Sequence, residues 1–185
     1  MTTFKQFLEI TQQEFALFHS KTQNPQSLAW LKTKLLALGW PQEFINYHEK
    51  DEEGTNMPFA ELRNVLLHIN QYANPVKTQI NPQQIPMEQG DYAERETKYD
   101  QYISGQTKTY FRGNQSDPRQ VNFSNMPPIT VVMGLKYEVI DGMHRVFLAK
   151  KQNVPSIPAW VIKQGVNNHP VAKEIVNFFY SQNPM

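Results

Sequence analysis

Five consecutive residues, Asp141-Gly142-Met143-His144-Arg145, carry more chemistry than any other stretch of the chain. They follow a run of strand formers, Lys136 to Ile140, and precede Val146, Phe147 and Ala149, which give a helix an apolar face. The pattern reads as a strand, a turn on Asp-Gly, and a helix that opens with His-Arg. A helix's first turn has N–H groups without intrahelical partners and carries the positive end of the dipole, so it favours an anion, above all a phosphate. His144 and Arg145 add two donors there, and Gly142 supplies a backbone conformation closed to other residues. Gly142, Met143, His144 and Arg145 are therefore the candidate phosphate-binding residues, with Asp141 and His144 the candidate catalytic pair. Asp141 has three readings: a cap on the helix, a hold on Arg145, or, with a nucleotide bound, support for Mg²⁺ through water. A plain structural corner, with Asp141 only a cap and His144 and Arg145 only solvated, uses the same residues.

A second set of residues lies upstream, between positions 81 and 126. Tyr92, Tyr99, Tyr102, Tyr110 and Phe111 alternate there with Arg95, Lys98, Lys108, Arg112 and Arg119. That mixture suits stacking on a base while contacting phosphate, so the segment is expected to be a lid or binding loop with one helix from about Ala93 to Ser104. The competing reading is a solvated arm with a few aromatics tucked inward. Glu88 and Glu94, with Asp91 and Glu96 beside them, are candidates for a general base or a magnesium ligand, and their spacing singles none of them out. His19, His48, His68 and His169 have no partners at ligand spacing, so no structural transition-metal site is expected. A glycine-rich phosphate loop, a serine nucleophile elbow and internal repeats are absent from the sequence.

The elements that must position these residues begin with helices. Phe4, Phe7, Leu8, Phe15 and Phe18 fall on one helical face, with Thr3 and Gln6 as a capping-box pair. Asn24-Pro25 starts a second helix, whose stripe of Leu28, Leu31, Leu35 and Leu38 stops at Gly39. Pro41 to Tyr47 reads as a short third helix and Glu49 to Asn56 as a loop. Pro58 then opens a helix burying Phe59, Leu62, Leu66 and Ile69 before Asn74-Pro75. Val76 to Ile85 reads as a strand, and Val171 to Tyr180 as a closing helix with Val171, Ile175, Phe178 and Phe179 apolar. Residues 1–74 thus form a helical extension or cap, and residues 75–185 an α/β domain.

Composition sets outer limits. The 18 basic and 17 acidic residues leave a net charge of +1, so no global field draws the chain to nucleic acid or an anionic membrane. The absence of cysteine removes disulfides, thiolate metal sites and cysteine-based mechanisms together. No apolar run approaches the roughly 20 residues of a membrane span, and no basic-then-apolar signal pattern opens the sequence. A cytoplasmic protein without a membrane partner is the expectation.

The stretch from Pro127 to Ile162 resembles the core of the ParB/sulfiredoxin superfamily. The features in common are a proline-preceded strand (Pro127-Pro128-Ile129-Thr130-Val131-Val132), a turn at Met133-Gly134 and a strand ending in Asp-Gly-x-His-Arg. An alanine-containing helix through Ala149 and a last strand opening with Ile157-Pro158-Ala159 follow. Val76 to Ile85, with Ile80-Asn81-Pro82, matches the family's opening strand in position. The firm part of the resemblance covers about a fifth of the chain. It implies an α+β fold, a small mixed β-sheet with flanking helices, here with the N-terminal helical extension added. It also implies nucleotide binding (ATP/ADP or CTP, with Mg²⁺) at the Asp141–Arg145 turn. Some such proteins, the free-serine kinases among them, transfer phosphate to a small hydroxyl acceptor, and a phosphotransferase or nucleotide hydrolase is the first expectation. Sulfiredoxin chemistry itself needs a cysteine that this chain lacks. The chromosome-partition branch, a CTP-operated clamp followed by a helix-turn-helix, and its nuclease-like relatives give a second, DNA-associated expectation. Against it, no helix-turn-helix appears in the 20 residues after Gly165, and the branch's arginine-rich phosphate motifs are missing. A non-catalytic protein-interaction module is the third.

Overall fold

Asn24 ends one helix and starts the next. Its Oδ1 accepts from the N–H groups of Gln26 (2.9 Å) and Ser27 (3.1 Å), and Pro25 fills the first position, where a missing N–H does no harm. The helix stops at Gly39, whose left-handed φ of 93° lets its N–H turn back to the last carbonyls. Asn24→Ala should lower stability by about 1 kcal/mol, a value that denaturant titration can check.

The computed structural model describes residues 11–50, 57–108 and 117–181. In chain order these form α1 (Gln12–Gln23), α2 (Pro25–Leu38), α3 (Gln42–His48), α4 (Arg63–Leu67), β1 (Val76–Ile80), α5 (Gln89–Ile103), β2 (Ile129–Met133), β3 (Tyr137–Asp141), α6 (Met143–Lys151), β4 (Ile157–Lys163) and α7 (Pro170–Tyr180). They divide into a helical unit, 1–75 with 162–185, and a sheet unit, 76–161. The expected capping box at Thr3 and Gln6, together with Phe4, Phe7 and Leu8, lies outside the described residues. The box that is seen joins Thr11 and Glu14 at the start of α1.

In the helical unit the apolar stripes meet as their spacing predicts. Phe18, Leu31, Leu35, Phe44, Ile175 and Phe179 are buried, with Phe18 stacked on Phe179 at 5.3 Å and Trp30 on Phe178 at 4.4 Å. Two expectations change. The helix predicted from Pro58 is broken into a 3-10 turn at Ala60–Leu62, the short α4, and a second turn at Ile69–Gln71. Phe59, Leu62, Leu66 and Ile69 are all fully buried without a continuous helix, and Asn64, Val65, His68 and Asn70 are weak helix formers. The closing helix α7, read from sequence as part of the α/β domain, belongs to the helical unit, where it packs on α1, α2 and α4.

The sheet unit is built on a four-stranded mixed sheet of order β1-β4-β2-β3. β1 pairs antiparallel with β4, and β2 antiparallel with β3. Ile129 to Val132 of β2 are buried on both faces, as an interior strand requires, whereas Val76 to Gln79 of the edge strand β1 are exposed. The strands flanking α6 are not neighbours, because β2 lies between β3 and β4. α6 therefore carries the chain over β2 on its way from β3 to β4. β1 stops at Ile80, short of the expected Ile85: Pro82 cannot donate to a ladder, and Asn81 Oδ1 instead accepts from Gln83 N–H at 2.9 Å in a 3-10 turn.

α5 begins at Gln89, four residues before its expected start, and its aromatics turn inward. Tyr92, Tyr99 and Tyr102 pack on the core formed by Val146, Phe147, Ile129 and Val131, with Tyr92 and Tyr99 edge-on to Phe147 at 5.2 and 6.2 Å. These three tyrosines are packing residues, and the lid expected of them is not formed by α5. Of the basic residues interleaved with them, Arg95 faces Asp91 at 3.8 Å, Lys98 bonds Glu94 at 2.5 Å and Arg119 bonds Asp117 at 2.6 Å. Tyr110, Phe111 and Arg112 lie outside the described residues. Among the described residues no helix is long and apolar enough to cross a membrane.

Candidate functional site

The Asp141–Arg145 turn is formed where β3 runs out against α6. Between Thr130 and Val131 the register with β3 shifts, so that Thr130 faces Asp141 while Val131 faces Val139. The extra residue on β3 is a bulge at Ile140. Cross-strand partners share a face, and along a regular strand Asp141 would share the core face of Val139. The bulge moves it to the other face, beside Thr130.

Gly142 follows at φ 92° and ψ 24°, a conformation open to glycine at little cost. It has no room for a side chain either: a Cβ there would stand 2.5 Å from Ile129 Cγ2 and 2.9 Å from Arg145 Nε. α6 therefore starts on a glycine N-cap, with no capping bond from a side chain.

Arg145 holds Asp141. Its Nη2 donates to Asp141 Oδ2 at 2.6 Å, and its Nη1 donates to the carbonyls of Pro127 and of Pro128, the latter at 3.3 Å. Both side chains are largely enclosed, 11% and 22% exposed. One guanidinium thus ties the end of β3, the first turn of α6 and the chain leading into β2. Of the three roles open to Asp141 in the sequence, the structure shows the hold on Arg145. Arg145 Nη1 and Nη2 are thus both bonded to the protein's own acceptors.

His144 is half-buried, with both ring nitrogens shielded from solvent. Glu94, on the exposed side of α5, has its carboxyl held below the usual range, first by the hydrogen bond and charge of Lys98 and, in smaller part, by His144. Glu94 is thereby within electrostatic reach of His144. Glu88 is not brought in: it stands exposed at the start of α5, six residues and about 9 Å of helix before Glu94. Among the described residues no group of three His, Asp or Glu side chains is placed to hold a metal ion.

Sequence reasoning missed the bulge and the two prolyl carbonyls. The second had a signal, since Pro127-Pro128 offers acceptors with no N–H of its own and an arginine 17 residues on is a natural donor.

The class defined so far is an α+β protein with a four-stranded mixed sheet and seven helices among its described residues. Set against known proteins, the chain matches no family model, no curated protein and no solved structure.

Proposed function

We propose that this is a ParB/sulfiredoxin-type protein that binds a phosphate-bearing ligand, a nucleotide such as ATP, ADP or CTP, at the start of α6. We further read it as a nucleotide-dependent phosphotransferase or hydrolase. One observation carries the reading. α6 begins on Gly142, an N-cap with no side chain of its own, and Asp141 just before it is bonded to Arg145 across the first turn. A cap side chain and a ligand anion compete for the same N–H groups, so a glycine at the N-cap suits a ligand at the positive end of the helix. Gly142 then lets a phosphate approach the backbone closely, and Asp141 with Arg145 keeps the turn rigid. His144, on the first turn, is assigned to proton transfer or phosphate contact, with Glu94 of α5 within electrostatic reach. Phosphoryl transfer asks a protein mainly for positioning and charge stabilisation, which such a turn supplies. An all-protein magnesium site does not fit these residues, because Asp141 Oδ2 is committed to Arg145; Mg²⁺ would be carried by the ligand's own phosphates.

The test is a thermal-shift panel of nucleotides with and without Mg²⁺. A ligand at a hundred times its dissociation constant stabilises by about 2.7 kcal/mol, a rise of about 5 to 10 °C for a chain of this size. A rise with DNA oligonucleotides and none with nucleotides would move the protein to the DNA-associated class. With a responsive nucleotide in hand, His144→Gln should lower turnover about a hundredfold while the binding constant moves little. Equal losses in binding and turnover would make His144 a ligand contact only.

A further inference from the structure

The sheet unit holds a recess that the start of α6 does not use. A cavity of about 500 Å³ opens between the first half of α5 and the last turn of α6, within the size range of small-molecule sites. Gln89, Tyr92, Ala93 and Glu96 line it at i, i+3, i+4 and i+7, a single stripe of α5. Lys150 faces them from α6, and Met87 closes the recess from the connection before α5. Seven residues of helix, about 10 Å, separate Lys150 from Met143 and so from the Asp-Gly turn.

The charges around the recess are unequally matched. Glu96 is already neutralised, accepting from Lys151 Nζ at 2.6 Å, and that ammonium also sits 5.6 Å from the centre of the Tyr99 ring. Lys150 has no such arrangement. Among the described residues no carboxylate pairs with its Nζ, and burial pushes its pKa down with no neighbouring charge to oppose the shift. A half-buried ammonium without a counter-charge gains from a bound anion. One net positive charge suits a monoanion, and the negative end of the α6 dipole disfavours a more highly charged ligand. Met87 and Tyr92 supply an apolar wall, and Tyr92 is fixed by its edge contact with Phe147.

We propose that this recess binds a small organic carboxylate, with the carboxylate on Lys150 Nζ and an apolar or aromatic body against Met87 and Tyr92. The probe is benzoate, with benzamide as its uncharged counterpart and inorganic phosphate as a second anion, titrated into the full ¹⁵N-labelled chain. Saturable shifts at the Tyr92 and Ala93 amides with benzoate are expected. Affinity should fall about tenfold or more in folded Lys150→Met and for benzamide, the loss of one charge-assisted contact. Absence of saturation, equal affinity in Lys150→Met, equal binding of benzamide, or tighter binding of phosphate would each overturn the proposal. A second readout needs no variant: benzoate should slow acetylation of Lys150 by acetic anhydride but not that of the exposed Lys163. Equal protection, or none, at the two lysines counts against the site.

Discussion

Gly142→Ala is expected to destabilise the sheet unit by about 2 to 5 kcal/mol, from two costs that add. The first is conformational: an L-residue at φ 92° is strained whatever surrounds it. The second is steric, since the new methyl would fall 2.5 Å from Ile129 Cγ2, and Ile129 is itself buried at the start of β2 with little freedom to retreat. Gly105 separates the two. It has a φ of 76° but open space where a Cβ would go, so Gly105→Ala should show the conformational cost alone, about 1 kcal/mol. The measurement is a pair of urea melts compared at equal slope. If both variants lose the same stability, the close approach of Gly142 to Ile129 has no energetic meaning. If Gly142→Ala is as stable as the parent, the turn does not hold this conformation in solution.

What could be read from the sequence depended on whether the deciding interaction was local. Asn24, Pro25 and Gly39 set helix boundaries through bonds to residues at most four positions away, and those boundaries are where the pattern put them. The strand, turn and helix around Gly142 were legible for the same reason: the strand formers Tyr137, Val139 and Ile140, Asp-Gly and an apolar helical face are all short-range signals. The tyrosines of α5 were misread because their interleaving with Arg95 and Lys98 resembles a binding surface, whereas the deciding fact is the distant Phe147 against which Tyr92 and Tyr99 pack. The membership of α7 in the helical unit turned on Trp30 and Phe18, more than a hundred residues before Phe178 and Phe179. At the candidate site, the Asp-Gly turn was legible and its wiring was not. Sequence offered Asp141 a cap or a partner on equal terms. The bulge at Ile140 and the carbonyls of Pro127 and Pro128 supply the partner, holding the guanidinium where it reaches Asp141.

That wiring yields the second large effect. Arg145→Ala should destabilise the protein by on the order of 3 kcal/mol, as breaking an enclosed ion pair by removing one partner does. The variant leaves the Asp141 carboxylate, only 22% exposed, without its guanidinium, and two prolyl carbonyls without their donor. Arg145→Lys should recover little, because a single ammonium cannot meet acceptors on both sides as the planar fork does. Asp141→Asn keeps the shape and a neutral hydrogen bond to Nη2, so its stability cost should be about 1 kcal/mol. Its effect on the ligand should be larger than its effect on the fold. An uncharged side chain is held less tightly by Arg145, so the turn that presents the Gly142 backbone to the phosphate loosens. The expected pattern is therefore Arg145→Ala damaged in stability, and Asp141→Asn nearly native in melting but weakened in nucleotide affinity, by calorimetry on each folded variant. A native melting curve for Arg145→Ala would mean the enclosed pair and the prolyl contacts hold nothing together. Native nucleotide affinity in Asp141→Asn would mean that holding the turn for a phosphate is not what the Asp141–Arg145 pair does.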